Sequence, residues 1–216
     1  MKKRKIKKAF LRGDKEKVNF ILEFRALKHL PRACSIFLKN VFPENVAEHT
    51  FFVCIISWLL SKMEKADENK VIKMSLIHDL VEVRAGERNL INKFYSPAPN
   101  EILIFEEIIK DYNLENMGLL ELFKEFSQEK TPEAKIVKDA DILAQMLLEK
   151  ESFDLGNFKA KRWLSTSLKR LETESAKKLG EILYQIDTDE WWLKVVKKYI
   201  LFTKFLNPKE PFFHLF

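Results

Sequence analysis

Two of the four histidines, His49 and His78, fall inside apolar stretches, where an unpaired or charged imidazole is costly. His78 is followed at once by Asp79, within a run otherwise made of Met74, Leu76, Ile77, Leu80 and Val81. Farther along, Asp139 and Asp141 interrupt a second apolar pattern of Ile136, Val137, Ala140, Ile142, Leu143 and Met146. Taken singly, each is most simply a core histidine or a hydrogen-bonded pair, because lone histidines on helices are seldom ligands. Taken together, they put four or five polar side chains on faces that should be buried, and one explanation covers them all. A divalent cation accepts imidazole nitrogen and carboxylate oxygen at once, and it removes the cost of burying the carboxylates. Glu82 lies one helical turn after His78 and on the same face. The other two histidines, His29 and His214, read as incidental.

Helices must position these groups. Five glycines and seven prolines in 216 residues, against an abundance of Leu, Lys, Glu, Ile and Phe, predict an all-α fold. The length suits one sizeable core and hence one domain over 13–216. Apolar spacing predicts helices over 18–30, ended by Pro31, and over 46–63, opened by Asn45 as N-cap. Further helices are predicted over 69–84, 101–112, 118–126, 131–151, 164–186 and 190–205, Thr131-Pro132 being a good N-cap and N1 pair for the one over 131–151. The stretch 89–100, with Pro97 and Pro99, reads as the longest irregular connection.

The net charge of +6 and pI of about 9.1 owe much to Lys2, Lys3, Arg4, Lys5, Lys7 and Lys8. Positions 1–12 are therefore expected to form a solvated, disordered arm, and a nucleic-acid partner is not expected. Apolar runs such as 51–60 fall short of the roughly 20 residues of a membrane span, and no secretory signal is visible, so a cytoplasmic protein is expected. Cys34 and Cys54 lack any C-x-x-C partner and read as buried thiols.

Three segments carry a family resemblance: Pro43-Glu-Asn-Val-Ala-Glu-His49, Ser75-Leu-Ile-His-Asp-Leu-Val-Glu82 and Lys135-Ile-Val-Lys-Asp-Ala-Asp141. In order, spacing and flanking residues they resemble the metal-binding stretches of HD-domain phosphohydrolases, most closely the 5'-deoxynucleotidase branch. The match runs from 31 to about 153. It implies a helical HD bundle with extra C-terminal helices, and it implies His49, His78, Asp79 and Asp141 as ligands of one divalent transition metal (Mn, Co, Zn, Fe or Ni). Asp139 takes a variable position. By the same resemblance Glu82, with Glu87, handles protons or the catalytic water. Arg32 orients the substrate phosphate, suiting a bidentate guanidinium. Asp79, Glu87 and Arg88 join Arg32 in holding the substrate. Two features depart from the pattern. Gly86-Glu87 stands where relatives have Gly-Asp, and Ser35 or another small residue stands where relatives place an aromatic near the sugar.

The implied activity is metal-dependent hydrolysis of (deoxy)nucleoside 5'-monophosphates to nucleoside and phosphate, with a homodimer as the candidate assembly. The rival readings are an HD-type phosphohydrolase for a triphosphate, cyclic nucleotide or other phosphate ester, and a nucleic-acid-binding module with a structural metal.

Overall fold

The fold is described here from a computed structural model over residues 2–39 and 43–206, with side chains described over 14–39 and 43–199. The C-terminal aromatics Phe212, Phe213 and Phe216, and His214, lie outside the described residues. Helices α1 (Lys2–Arg25), α2 (Ser35–Leu38), α3 (Val46–Glu64), α4 (Glu68–Ile77), α5 (Glu82–Ala85) and α6 (Leu90–Tyr95) come first. They are followed by α7 (Glu101–Asp111), α8 (Leu119–Gln128), α9 (Pro132–Asp154), α10 (Ala160–Leu168), α11 (Glu174–Gln185) and α12 (Glu190–Leu206). Two short 3-10 turns lie at Ala26–His29 and Glu115–Met117. Among the described residues no strand longer than a single bridge occurs, and the all-α expectation holds. α1 starts at Lys2, so the basic stretch expected as an irregular arm is drawn into this helix.

α3 and α9 are the central pair. Asn45 opens α3 with a capping box, its side chain accepting from the Glu48 amide while the Glu48 carboxylate accepts from the Asn45 amide. Val53 and Leu60 of α3 meet Val137, Ala140 and Leu143 of α9 in a core that α4, α10 and α11 enclose. A second cluster joins Ile77 and Val81 to Phe105, Ile108 and Phe123 of α7 and α8, with Phe20 and Phe24 of α1 against it. By length and composition α3 could cross a bilayer. In this fold one face of it joins the core, with His49, Val53, Ser57, Leu60 and Ser61 buried, while Phe51, Ile55, Trp58 and Leu59 form an exposed apolar stripe.

Three expected segments differ, each for an identifiable physical reason. The helix expected over 69–84 stops at Ile77, because the His78 ring nitrogen Nδ1 lies 2.7 Å from the Ser75 carbonyl. That carbonyl is the acceptor the Asp79 amide would use in a continuing helix. The chain crosses 78–81 in tighter turns, with Glu82 N donating to Asp79 O, before α5 begins. Within the expected irregular stretch 89–100, Asn89 and Asn92 form another capping box and start α6. The helix expected over 164–186 is two helices, because Asp139 reaches across from α9 to the junction. Its Oδ1 accepts from the Glu172 amide at 2.9 Å, and its Oδ2 accepts from the Thr173 amide and hydroxyl at 2.7 and 2.6 Å. Thr173 then caps α11 through the Ala176 amide.

Asp139 is thus a buried structural carboxylate. Asp139→Asn keeps its size but weakens three charge-assisted bonds, and the expected loss is on the order of 3 kcal/mol in urea unfolding with metal binding retained. A loss below about 0.5 kcal/mol would contradict the role.

Candidate metal centre and its cavity

An antiparallel bridge between Pro31 and Asn45 ties the segment before α2 to the start of α3. Arg32 N donates to Glu44 O at 2.8 Å and Val46 N to Leu30 O at 2.9 Å, so Arg32 and Glu44 are fixed to the first turn of α3. His49 follows one turn later and is wholly buried. His78 and Asp79 arrive on the broken segment after α4, and Asp141 on α9. One possible ligand atom each from His49, His78 and Asp141 lies within 4.8 Å of the other two. His49 Nε2 is 3.1 Å from Asp141 Oδ1 and 3.8 Å from Asp79 Oδ2, which is itself 3.1 Å from His78 Nε2. Donor atoms about 2.0–2.2 Å from a common ion would stand at such separations.

The tautomer of His78 tests the fit. A carbonyl oxygen only accepts, so Nδ1 carries the proton given to Ser75 and Nε2 is left with a lone pair. That nitrogen is buried with no hydrogen-bond partner, and its nearest polar neighbour is a carboxylate oxygen. Two acceptors held face to face in a buried site require a proton or a cation between them. On the other side, His49 Nδ1 is also buried without a hydrogen bond and has the Glu44 carboxylate at 3.7 Å. Without an ion, burial acts to lower the His49 pKa, but Asp141 and Glu44 outweigh it and push it up to about 9. Burial likewise acts to raise Asp141 and Asp79, yet His49 and His78 hold both below the usual carboxylate range.

Arg32 stands beside this cluster. Its Nη1 lies 3.2 Å from Glu87 Oε1 and 3.5 Å from Asp79 Oδ2, its Nη2 donates to Gln145 Oε1 at 3.4 Å, and its Nε is buried with no partner. Burial acts to lower its pKa, but the surrounding carboxylates, Glu87 first, more than offset this and keep it charged. Glu87 also accepts from the Ala33 amide at 3.2 Å. The Glu82 carboxyl is pushed up to about 11 by burial, by the charge on Asp79 and by its hydrogen bond with Glu87. Arg84, bonded to Glu23 of α1 and Asp111 of α7, pins the short helix that carries Glu82. The site therefore brings together a His49–His78–Asp141 donor group with Asp79 beside it, a cationic anion clamp and a neutral carboxylic acid.

A family model of the HD domain matches residues 24–183. The chain belongs to the HD domain family. Its sequence is 25% identical over 156 residues to the 5'-deoxynucleotidase HDDC2 of Bos taurus, covering 68% of this chain and 72% of that protein. It is 31% identical over 132 residues to the 5'-deoxynucleotidase HDDC2 of Dictyostelium discoideum, covering 53% and 68% respectively. The crystal structure of the PH0347 protein from Pyrococcus horikoshii is similar at a TM-score of 0.64 and 25% identity, covering 78% of this chain and 98% of that one.

In this HD domain the centre opens into a cavity of about 750 Å³ whose lining includes Arg32, Glu87, Arg88 and Asp141. Arg88 lines it, but its Nη2 donates to the Asn92 and Ser96 carbonyls and so closes the end of α6. Sequence reasoning missed several lining residues. Phe37 and Trp163, from α2 and α10, are stacked with centroids 5.4 Å apart. They supply aromatic surface that the residues just after Arg32 lack. Gln145 and Glu149 follow Asp141 at four-residue steps along α9. That spacing, polar residues in register with Asp141 on an otherwise apolar helix, was the signal available for them. Glu44 lies within the Pro43–His49 segment, but its spacing carries no such register, and its contact with His49 is made where the bridge fixes the start of α3.

Two outcomes follow from this geometry. Glu44→Gln removes the carboxylate facing the ring nitrogen opposite the cradle, and should weaken metal binding about 10- to 100-fold by competition with a chelating dye. Unaltered affinity would exclude the contact from ligand orientation. Burial, opposed by bonds from Ser167 and Gln145, raises the Glu149 carboxyl to about 7. The native state then holds a proton that the unfolded chain releases near its ordinary value, so this group costs nothing below about pH 4.5 and destabilises increasingly up to about pH 7. Glu149→Gln should raise stability above pH 7 by on the order of 3 kcal/mol and flatten the decline of Tm between those limits. Parallel Tm curves for variant and parent would refute it.

Proposed function

We propose that this chain is a metal-dependent phosphomonoesterase that hydrolyses (deoxy)nucleoside 5'-monophosphates to nucleoside and inorganic phosphate. The observation that carries the reading is the opening of one cavity onto both Asp141, a member of the clustered donors, and the Arg32 guanidinium. A cavity of about 750 Å³ takes far more than a phosphate group, and it suits a small molecule of nucleotide size. The names carried by relatives in cattle and in Dictyostelium support the same substrate class.

On this reading His49, His78, Asp79 and Asp141 hold one divalent transition metal, for which a mixed nitrogen and oxygen set suits Mn, Fe, Co, Ni or Zn. When bound, the cation supplies Lewis acidity to the phosphate and to the attacking water. Arg32 receives the phosphate, exchanging its long contacts with Asp79, Glu87 and Gln145 for charge-assisted bonds to phosphate oxygens. Glu82, held neutral, gives its proton to the departing 5' oxygen as the phosphorus–oxygen bond breaks, and the proton of the attacking water restores it. Glu87 orients both, through the guanidinium of Arg32 and its hydrogen bond with Glu82. Arg88, Lys93, Lys138, Arg162 and Arg170 also line the cavity and favour an anionic ligand. The exposed apolar stripe of α3 is the face we assign to a homodimer, and two free cysteines suit a reducing compartment such as the cytoplasm.

The deciding assay is phosphate release from 5'-deoxy- and ribonucleoside monophosphates by protein stripped of metal and resupplied with Mn, Co, Ni, Zn or Mg. Release should require metal and fall at least about 1000-fold in Asp79→Ala, and the active protein should elute as a dimer in size-exclusion chromatography. Cleavage of triphosphates or cyclic nucleotides, but of no monophosphate, would sink the substrate assignment and leave the metal site standing.

A further inference from the structure

From the metal centre a line of hydrogen bonds runs away along the cavity wall. Arg32 Nη2 donates to Gln145 Oε1 at 3.4 Å, Gln145 Nε2 donates to Glu149 Oε1 at 3.2 Å, and Ser167 Oγ donates to the same Glu149 oxygen at 3.0 Å. Both donors converge on Oε1. The other oxygen, Oε2, is buried with no partner, on a residue only 1% exposed that nonetheless lines the cavity. A buried carboxylate oxygen without a donor costs about 1–3 kcal/mol or more, and native structures retain such groups where a ligand or ion satisfies them. Glu149 is two steps of four residues from Asp141, about 12 Å along the helix, which is the reach of a sugar and base extending from a phosphate at the metal. On the same cavity Trp163 and Phe37, stacked and only partly buried, supply a surface for a planar ring.

We propose that the far end of this cavity is a nucleobase subsite in which Glu149 Oε2 accepts an N–H from the exocyclic amino group of the base. Glu149 is thereby a specificity-determining residue, and the inference rests on the nucleotidase reading. Adenine and cytosine carry an amino group at the position where hypoxanthine and uracil carry a carbonyl oxygen. The amino group completes the hydrogen bonding of Glu149, whereas the carbonyl sets a second acceptor against it. A site built to hydrogen-bond one group rejects the analogue lacking it far more strongly than an apolar wall can. Glu149→Gln should invert the preference for a stated geometric reason. Ser167 and Gln145 both donate to one oxygen, so the new amide must turn its carbonyl toward them and its NH2 into the place of Oε2. An acceptor becomes a donor.

The experiment compares kcat/KM for two pairs, dAMP with dIMP and dCMP with dUMP, at about pH 8, where the Glu149 carboxyl is ionised. Metal-loaded full-length parent and Glu149→Gln are measured side by side. The parent should favour the amino member of each pair by about tenfold, and the variant should lose or reverse that ratio. Equal rates within each pair for the parent, or a ratio unmoved by the substitution, would overturn the proposal. Binding of deoxyadenosine and deoxyinosine to the same two proteins by calorimetry separates the two levels of inference. If no monophosphate is cleaved but deoxyadenosine binds about tenfold tighter than deoxyinosine to the parent alone, the base subsite stands while the nucleotidase reading falls. If neither nucleoside is preferred, the subsite falls whatever the phosphatase assay gives.

Discussion

The structure depends on two imidazole nitrogens and two carboxylate oxygens being held within a few ångströms of one another in a largely buried site. His78 Nε2 and Asp79 Oδ2 are both acceptors once the His78 proton is committed to Ser75. Their 3.1 Å approach is repulsive until positive charge lies between them. The other two donors come from the stiffest parts of the protein. His49 sits on the central α3 and Asp141 on the 23-residue α9, the two helices that share the main core. The same packing that excludes water from the core therefore fixes the donor geometry.

Around this centre the structural and chemical uses of polar side chains are separated by helix register. Asp139 and Asp141 are two residues apart on α9 and so point in different directions. Asp139 turns toward α11, where three donors satisfy it, and Asp141 turns toward the histidines. Lys138, Asp141, Gln145 and Glu149 recur on the cavity face, so one helix supplies both the inner end of the site and its far wall. The break at His78 is a second case of one bond serving two ends. The ring takes a backbone carbonyl, which ends α4, fixes the tautomer and turns Asp79 and Glu82 into the site.

The carboxylates are unequal because their neighbours are. Asp79 and Asp141 face imidazoles and are held ionised, while Glu82 faces Asp79 and Glu87 and is held neutral. Environments that push carboxyl pKa values apart assign donor and acceptor roles within one cluster. Arg32, with long contacts on three sides and an unpartnered Nε, is restrained enough to be placed and loosely enough bonded to accept an anion.

Sequence alone determined the all-α class, the central helices at 46–63 and 131–151, the cluster of His49, His78, Asp79 and Asp141, and the resemblance to the HD domain. Apolar periodicity and costly polar residues within it are local signals, and they survive in one dimension. Only the tertiary structure decided the break at His78, the division of 164–186 into two helices, and the roles of Glu44, Phe37, Trp163 and Glu149. Each of those depends on a partner distant in the chain or on a side chain competing for a backbone carbonyl: Asp139 for the α10–α11 junction, Pro31 for Glu44, Ser167 for Glu149. Contacts of that kind are made by packing, and the order of residues along the chain does not encode them in any local pattern.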